Sequence, residues 1–454
     1  MSPATLVMPT RILIVGGGGR EHALAWKLAA EPGVNAVWVA PGSDAIAGEP
    51  GVERVRGIDA ADGAAIAGFA RAHAIELVVI GPEAPLAAGV VDTLIATGIA
   101  VFGPTAAAAR IETSKTFCRE IASAAGVPMA EGRSFDEAGR LAAVAFATTL
   151  ADERGGVVIK ADGLAAGKGV WVCRTPNEAA VAIEHTAGRI VVEERLEGAE
   201  ASLIALVDGS DALALPFGRD HKRLGDGDTG PNTGGMGAFS PLPDMPDALA
   251  DELLERFHRP VIAELSRAGT PFRGALYAGL MLTPNGPRLL EFNARFGDPE
   301  TQVLLPRISV PLGPLLLASA RGRLAAARGA FGLDRWTIPA LPGASVGIVL
   351  ASDGYPEAPL TGDSIIGLDA ASGDALVFHA GTMRGDDGRY RTAGGRVLTV
   401  VGRGVNLASA RGRAERAADA ISWPGMQRRH DIAAVLPAAT TEGAAPMATA
   451  GAAS

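Results

Sequence analysis

Short apolar runs alternate with amphipathic stretches along the first hundred residues of the chain. Strands are predicted at residues 12–15, 37–39, 77–80 and 99–102, and helices at 21–30 and 61–73. Such alternation predicts a doubly wound parallel sheet, which binds ligands beyond the carboxyl ends of its strands. A turn containing glycine or proline follows each of the four strands, so we expect a ligand at that edge of the sheet.

From residue 114 the pattern changes to an α+β order. Helices are predicted at 114–126, 137–150, 176–187, 249–265 and 315–327, and strands at 157–160, 170–172, 190–194, 201–207, 212–217, 275–282 and 288–292. The polar, glycine-rich residues 218–237 are predicted as a loop, and loops of that length are usually functional or disordered. A third unit over 344–431 is predicted with strands at 345–350, 376–379 and 397–401 and a helix at 406–420.

These changes divide the chain into five predicted segments. They are a flexible extension over 1–10, a Rossmann-like substrate domain over 11–112, a central domain over 113–332 with a lid at about 127–196, a β-rich C-terminal domain over 333–435, and a disordered tail over 436–454. The tail is dominated by Ala, Thr, Gly and Pro without periodicity.

Composition excludes several classes of protein. With 48% hydrophobic and 20% charged residues the chain can bury sizeable cores, and its net charge of −9 argues against nonspecific nucleic-acid binding. The longest apolar runs are too short to span a membrane, and residues 1–10 lack the form of a signal peptide. Cys118 and Cys173 stand alone, with no disulfide framework or zinc motif. A cytoplasmic protein without nucleic-acid or membrane partners is expected.

Residues 157–170 combine a β-type run ending at Lys160, a glycine-rich loop and a second β-type run. Glycine lets backbone N–H groups approach a polyphosphate closely. A Walker P-loop does not fit, because Gly163 and Gly167-Lys168 are one residue too close, Gly169 replaces Ser or Thr, and a strand follows instead of a helix. We therefore predict a nucleotide site of another architecture, a flap over ATP.

The run Glu291-Phe292-Asn293 places two oxygen-bearing side chains on one face of a strand, a pair suited to Mg²⁺ beside phosphates. Alone it would suggest a solvated edge strand. The planar fork of Arg295 suits a carboxylate, with a surface ion pair as the alternative. Asp298 before Pro299 has the pattern of a helix N-cap with proline at the first helical position.

Two lysines occupy positions where a positive charge is unfavourable without a partner. Lys160 closes an apolar strand and needs an anionic partner unless it reaches solvent. Lys115 begins a helix, where its charge opposes the dipole unless it contacts a ligand.

Other sequence patterns argue against a nicotinamide site and against a protein nucleophile. The glycine turn after the first strand is weak evidence for a dinucleotide, and the second strand ends at Pro41 without the acidic residue that NAD requires. No Ser–His–Asp or Cys–His arrangement is visible, and His22 is interpreted as a packing residue. Without a protein nucleophile, we expect a reaction in which ATP activates the substrate and the protein mainly positions charges.

Several long motifs resemble those of one family. They are GGREHAL (18–24), GPEAPL (81–86), FGPT (102–105), SK (114–115), IKADGLAAGKG (159–169), DHKR (220–223), DTGPNTGGMG (228–237), YAGLM (277–281), EFNARFGDPETQ (291–302), FHAGT (378–382) and GGRVL (394–398). The resemblance, over about residues 11–432, is to the phosphoribosylamine–glycine ligase family (glycinamide ribonucleotide synthetases), ATP-grasp enzymes of purine biosynthesis.

The resemblance implies an ATP-grasp fold that is α/β overall with an α+β centre. It implies ligation of glycine to 5-phosphoribosylamine through glycyl phosphate, with ATP as cosubstrate and Mg²⁺ or Mn²⁺ bound by Glu291 and Asn293. The implied ATP contacts are Lys115, Lys160, Gly163, Gly167, Lys168, Gly169, Glu193, Glu194, Leu196 and Glu200. The implied substrate contacts are Gly18, Gly19, Arg20, Glu21, Gly81, Pro82, Glu83, Asp220, Lys222, Thr233, Gly234, Arg295 and Asp298, and the implied catalytic residues are Arg295 and Lys160.

The chain departs from the family at Gly17, Ser43, Arg195, Ala199 and residues 427–433. It is expected to be a bacterial-type monofunctional monomer, in transient contact with the enzyme that supplies phosphoribosylamine. Two alternatives stay open: a biotin-carboxylase-like enzyme using bicarbonate, and a non-catalytic nucleotide-binding protein.

Overall fold

A five-stranded parallel sheet forms the N-terminal part of the computed structural model, which describes residues 6–164 and 169–434. Its strands are β1 (Arg11–Gly16), β2 (Ala36–Pro41), β3 (Val52–Arg54), β4 (Leu77–Ile80) and β5 (Val101–Phe102), in the order β3-β2-β1-β4-β5. Its helices are α1 (Gly19–Ala29), α2 (Gly63–Ala72), α3 (Glu83–Ala87), α4 (Val90–Ala96) and α5 (Ala106–Thr113). The predicted parallel sheet is confirmed; β3 was not predicted, and the last strand is shorter than expected.

Two antiparallel sheets dominate the central part. The strands are β6 (Gly132–Phe135), β7 (Val157–Ala161), β8 (Val170–Cys173), β9 (Ile190–Glu194), β10 (Ala199–Asp208), β11 (Ala212–Ala214), β12 (Arg219–Asp220), β13 (Arg223–Gly225), β14 (Thr229–Asn232), β15 (Gly237–Ser240), β16 (Arg273–Thr283) and β17 (Gly286–Asn293). One sheet has the order β6-β9-β7-β8 and the other β11-β10-β16-β17. The helices are α6 (Lys115–Ala124), α7 (Arg140–Arg154), α8 (Pro176–His185), α9 (Ala250–Leu253), α10 (Arg259–Arg267), α11 (Glu300–Leu304), α12 (Leu312–Ala320) and α13 (Leu324–Ala330).

The C-terminal part adds β18 (Ala344–Ala351), β19 (Leu376–His379), β20 (Thr382–Arg384), β21 (Tyr390–Thr392) and β22 (Arg396–Gly404), with helices α14 (Leu368–Ala371) and α15 (Leu407–Ala420). Its main sheet has the order β12-β15-β18-β22-β19, so two strands from the central part extend it. This sharing, through antiparallel pairing of β15 with β18, was not predicted. It carries the polar segment before β15 to the border of the C-terminal part.

Three local predictions were wrong. The predicted helix over 315–327 is two helices, because the chain turns between Arg321 and Arg323 with Gly322 at φ 69°. The segment 218–237 holds three short strands, because β12 pairs with β15 and β13 pairs with β14. Asp298 is not the cap of the following helix; Pro299 is the N-cap, and the Asp298 carboxylate instead accepts from Gln302 and pairs with Arg396.

Strand alternation decides which side chains face inward. Along β7, Val157 and Ile159 belong to a small core under α7 and α8, whereas Val158 and Lys160 face a cavity on the other side. Along β17, Phe292 is buried in the main core and Glu291 and Asn293 face the same cavity. Because side chains alternate with a period of two, burying the apolar set directs the charged set into the cavity.

Candidate active site

A cavity of about 1620 Å³ lies where the three parts of the chain meet. It is lined by the turns after β1 and β4, by strands β7, β9 and β17, and by residues 355–356, 395–396, 429, 431 and 433–434 of the C-terminal part. Sites for one small ligand usually enclose about 300–1,000 Å³. The cavity is therefore large enough for more than one substrate.

Lys160 meets its anionic partner inside this cavity. Its Nζ lies 2.6 Å from Glu193 Oε2 and donates to the Leu290 carbonyl at 2.8 Å, and the residue is only 8% exposed. Burial acts to lower the pKa of Lys160, but the Glu193 carboxylate raises it above its usual value. Arg119 donates to the other oxygen of Glu193 at 3.0 Å. The strand therefore fixes a charged ammonium, and the alternative of a lysine reaching solvent is wrong.

Lys115 stands at the start of α6, whose N-cap is Ser114. The Ser114 hydroxyl accepts from Phe117 N at 3.1 Å, and Lys115 Nζ donates to the Gly163 carbonyl at 2.9 Å. Gly163 and Gly169 line the cavity. The contact brings the helix to the glycine loop, as a phosphate site would require. Gly167 and Lys168, also predicted to bind ATP, lie outside the described residues.

The predicted adenine hinge follows β9 along the rim of the cavity. Glu194, Leu196 and Glu200 all line it. The Glu194 backbone N–H and carboxylate are engaged with Glu131, at 2.8 and 2.9 Å. Glu200 Oε2 lies 2.6 Å from Lys222 Nζ, so the carboxylate expected to bind a ribose is paired with a residue expected to bind the other substrate.

Glu291 and Asn293 bring two oxygen-bearing side chains together on β17. Asn293 Nδ2 lies 3.4 Å from Glu291 Oε1, which confirms that the two side chains share a face. Burial acts to raise the pKa of Glu291, but Lys222 and Lys160 lower it below its usual range, so the carboxylate is charged. No group of three or more His, Cys, Asp or Glu side chains suited to a metal occurs in residues 6–164 and 169–434. Mg²⁺ in nucleotide sites typically takes one or two protein oxygens plus phosphate oxygens and water, which fits this pair.

The turns after β1 and β4 are joined through Glu21. Its carboxylate accepts from Gly18 N at 2.7 Å and from Arg20 Nε at 2.6 Å. A Cβ on Gly81 would lie 2.1 Å from Glu21 Oε1, so only glycine lets the second turn approach so closely. Gly18, Arg20, Glu21, Pro82 and Glu83 line the cavity, whereas Gly19 is buried behind it next to Gln302.

Arg295 is enclosed by two carboxylates. Its Nε lies 3.1 Å from Glu83 Oε2 and its NH2 lies 3.1 Å from Glu112 Oε1. Its side chain is 20% exposed, so the alternative of a surface ion pair is wrong. Burial acts to lower the pKa of Arg295, but Glu112 and Glu83 raise it. The guanidinium lies at the cavity wall, where Nε and NH2 meet the two carboxylates and NH1 donates to the Phe296 carbonyl at 3.1 Å.

The predicted substrate loop brings Asp220 and Lys222 to the cavity. Burial raises the pKa of Asp220 to about 8, although Lys222 acts to lower it. Thr233 donates through its N–H and its hydroxyl to the Lys222 carbonyl, at 2.7 and 2.8 Å. Gly234 donates to Tyr355 Oη at 3.0 Å. Gly19 and Gly81 do not line the cavity, and Gly167 and Lys168 lie outside the described ranges; every other predicted site residue lines this one cavity.

Several residues at the site were not predicted. They are Glu112 and Arg119, the buried trio Ser202, Tyr277 and Glu300, and Tyr355, Arg396 and Arg429 of the C-terminal part. Arg396 donates to the carbonyls of Gly234 and Asp298, at 2.6 and 2.7 Å. Its GGRVL motif was noted in the sequence without a role. Tyr277 and Glu300 likewise lie in quoted motifs, YAGLM and EFNARFGDPETQ, without a predicted role. No local pattern marks the remaining residues as part of a site.

Comparison with known proteins agrees with this geometry. Models of phosphoribosylglycinamide synthetase match the chain in three stretches: the N domain at residues 10–112, the ATP-grasp (A) domain at 113–301 and the C domain at 345–435. The chain belongs to the phosphoribosylglycinamide synthetase family. The predicted resemblance and the predicted ATP-grasp fold are thereby confirmed.

Relatives within this family cover almost the whole chain. The phosphoribosylamine–glycine ligase of Leifsonia xyli subsp. xyli is 48% identical over 433 residues, which is 93% of this chain and 99% of the relative. The ligase of Neisseria meningitidis is 44% identical over 434 residues, with 93% and 98% covered. The solved structure of the Thermotoga maritima ligase is 32% identical, with a TM-score of 0.73 and coverage of 93% and 100%.

More distant structures share the fold alone. A biotin carboxylase from Campylobacter jejuni superposes with a TM-score of 0.65 at 16% identity, covering 92% of this chain and 93% of that one. Within the described ranges, no helix has the length and apolar character needed to cross a membrane.

Proposed function

We propose that this chain ligates glycine to 5-phosphoribosylamine, giving N1-(5-phosphoribosyl)glycinamide, ADP and phosphate, the second step of de novo purine synthesis. The observation that carries the proposal is the convergence in one cavity of Lys160, Lys115 and the pair Glu291 and Asn293. The family match and the relatives named phosphoribosylamine–glycine ligase support the same reaction.

The reaction needs two displacements in one enclosed space. The glycine carboxylate attacks the γ-phosphate of ATP, forming a C–O–P linkage and releasing ADP. The amine of phosphoribosylamine then attacks the acyl carbon, so that a C–N bond forms, the C–O bond to phosphate breaks and the amine loses a proton. Lys160 and Lys115 would hold the phosphate charge while it moves between groups. A cavity of about 1620 Å³ has room for the three substrates together.

Glu291 and Asn293 would hold Mg²⁺ or Mn²⁺. The metal, when bound, neutralises phosphate charge and orients the γ-phosphate. Arg295 would contact the glycine carboxylate or its acyl phosphate through guanidinium N–H groups not used by Glu83 and Glu112. The turns at 16–21 and 81–83 and the segment 220–235 would bind phosphoribosylamine.

Further expectations belong to the same proposal. We expect a monomer, since a single chain supplies residues on every side of the cavity. The domain boundaries at about 112, 332 and 435, the cytoplasmic location and the transient contact with a supplying enzyme stay predictions.

Replacing Lys160 tests the proposal. Lys160→Ala removes the fixed ammonium but leaves Glu193 paired with Arg119, so the fold should persist. We expect glycine- and phosphoribosylamine-dependent ADP release to fall by at least about a hundredfold. Lys27→Ala is the matched control, because this lysine lies outside the cavity, where it donates to the Ile308 carbonyl. Near-normal turnover of Lys160→Ala would contradict the assignment.

One assay separates the alternatives. A carboxylating enzyme would release ADP with bicarbonate and without glycine, and a non-catalytic protein would bind ATP without forming product. Mass spectrometry of the product from ATP, glycine and freshly prepared phosphoribosylamine should give the glycinamide.

A further inference from the structure

Arg429 joins the end of the described chain to the hairpin formed by β13 and β14. Its NH1 donates to Asp228 Oδ1 at 2.6 Å and to the Arg223 carbonyl at 3.2 Å. Its Nε and NH2 donate to the two oxygens of Asp431 at 2.7 and 2.6 Å. One side chain thus joins the start of β13, the turn between β13 and β14, and the C-terminal segment.

The backbone around Arg429 strengthens this connection. Gly227 N donates to Asp431 Oδ2 and His430 N donates to Asp226 Oδ1, both at 2.8 Å. Residues 226–228 form the tip of the hairpin. We call the segment 429–431 the C-terminal clasp, because its side chains and backbone are hydrogen-bonded to residues 226–228 of that tip.

Burial makes the clasp costly to open. Arg429 is only 1% exposed. Hydrogen bonds from Arg429 and Gly227 outweigh burial and lower the pKa of Asp431 to about 2. A buried guanidinium deprived of its partners is strongly destabilising. The hairpin tip, although its residues are exposed, is therefore tied to a buried group.

The hairpin carries the predicted substrate residues at its two ends. Lys222 immediately precedes β13, and Thr233 and Gly234 immediately follow β14. Asp228, Asn232, Thr233 and Gly234 line the cavity, and so do Arg429 and Ala433. Any displacement of the hairpin would move Lys222 and Thr233 relative to the metal pair on β17.

We propose that Arg429 is a positioning residue that holds the hairpin over the phosphoribosylamine end of the cavity and thereby sets affinity for that substrate. The inference rests on the proposed function for the identity of the substrate. It gives the C-terminal part a role in substrate binding that does not involve contact with ATP.

Kinetics on the full-length chain test the substrate effect. Arg429→Ala should raise the KM for phosphoribosylamine by at least about tenfold, since two charged hydrogen bonds to the hairpin are lost. The KM for ATP and kcat should stay within about twofold, and Arg429→Lys should recover part of the loss. The matched control is Arg416→Ala, which removes an exposed pair with Asp374 from the same part of the chain.

Amide hydrogen exchange without any substrate tests the geometry. In Arg429→Ala, residues 223–232 should exchange faster while β1, β10 and β16 stay protected. Unchanged exchange in the hairpin would overturn the clasp. Faster exchange with an unchanged KM for phosphoribosylamine would overturn the positioning role.

Failure of the proposed function can be distinguished from failure of the positioning role. Failure of the unaltered enzyme to use phosphoribosylamine would overturn the proposed function while leaving the exchange experiment valid.

If Arg429→Ala unfolds, the variant Asp228→Asn tests the proposal instead, because it weakens the hairpin contact but leaves the Arg429–Asp431 pair. Its exchange and KM should shift in the same directions by a smaller factor, and no shift in either would overturn the proposal.

Discussion

At the scale of single residues, the site is a set of charges whose pKa values depend on their neighbours. Lys160 is held charged by Glu193, and Glu291 is held charged by two lysines. Asp220 differs, because burial raises its pKa to about 8. The sequence identified these residues as candidates for a site. It did not indicate which of these ionisable side chains would be neutral.

The raised pKa of Asp220 has a consequence for stability. An unfolded aspartate has a pKa of about 3.9, so between about pH 4 and about pH 8 the folded state holds a proton that the unfolded state releases. The free energy of unfolding should therefore fall as pH rises through this window, by on the order of 1 kcal/mol per pH unit at most. Asp220→Asn should lose this contribution to the pH dependence.

Urea unfolding of the substrate-free protein at about pH 5 and about pH 8 measures the effect. The exposed Asp247 provides a control as Asp247→Asn, which should retain the pH dependence of the unaltered chain. Identical slopes for Asp220→Asn and the unaltered chain would show that Asp220 is not the responsible group.

At the scale of secondary-structure elements, long-range capping fixes how the parts meet. Helix α12 begins after Pro311, which supplies no capping side chain. Glu31, next to the end of α1, accepts instead from Leu312 N at 2.5 Å and Gly313 N at 2.9 Å. The first N–H groups of a helix need such acceptors when they are buried.

Glu31→Gln should destabilise the protein without altering the site. The amide keeps one acceptor oxygen but presents an NH2 group to the second backbone N–H, so one hydrogen bond and the charge are lost. We expect the free energy of unfolding to fall by about 1–2 kcal/mol, with all KM values unchanged. Urea titration measures the loss, and Glu252→Gln on the exposed face of α9 should show none. A changed KM for ATP would mean that the cap also positions the site.

At the scale of the whole molecule, the cavity couples the parts of the chain that line it. Strand β17 supplies Glu291 and Asn293, β7 supplies Lys160, and the C-terminal part supplies Arg396 and Arg429. A ligand bound across these elements should stabilise the folded molecule, because it binds the folded state alone.

Magnesium should account for part of that stabilisation. At a concentration of about one hundred times its Kd, MgATP should raise the free energy of unfolding by roughly 3 kcal/mol. ATP together with a metal chelator should raise it by less. Glu291→Gln should remove the magnesium-dependent part, since one of two protein oxygens loses its charge. Thermal unfolding with and without Mg²⁺ measures the difference. If Glu291→Gln retains the full magnesium effect, the metal lies elsewhere.

How much could be predicted differs between the fold and the site. The parallel sheet, the strand–loop–strand around Lys160 and the shared face of Glu291 and Asn293 followed from spacing of two or of three to four residues. The helix break at Gly322 and the β13–β14 hairpin did not, because turns and short strands in polar, glycine-rich sequence leave no apolar period. The N-cap at Pro299 did not because Arg396 pairs with Asp298 across the fold.

The sequence alone determined which side chains share a face and where the motifs that resemble those of the family lie. Those properties depend on backbone geometry over a few residues. The tertiary structure alone decided the pairing of Arg295 with Glu83 and Glu112, and of Arg429 with Asp228. The second pair is separated by 201 residues in sequence. Arg429 and Asp228 meet because β15 joins the C-terminal sheet and carries the hairpin to it, and no local pattern encodes that packing.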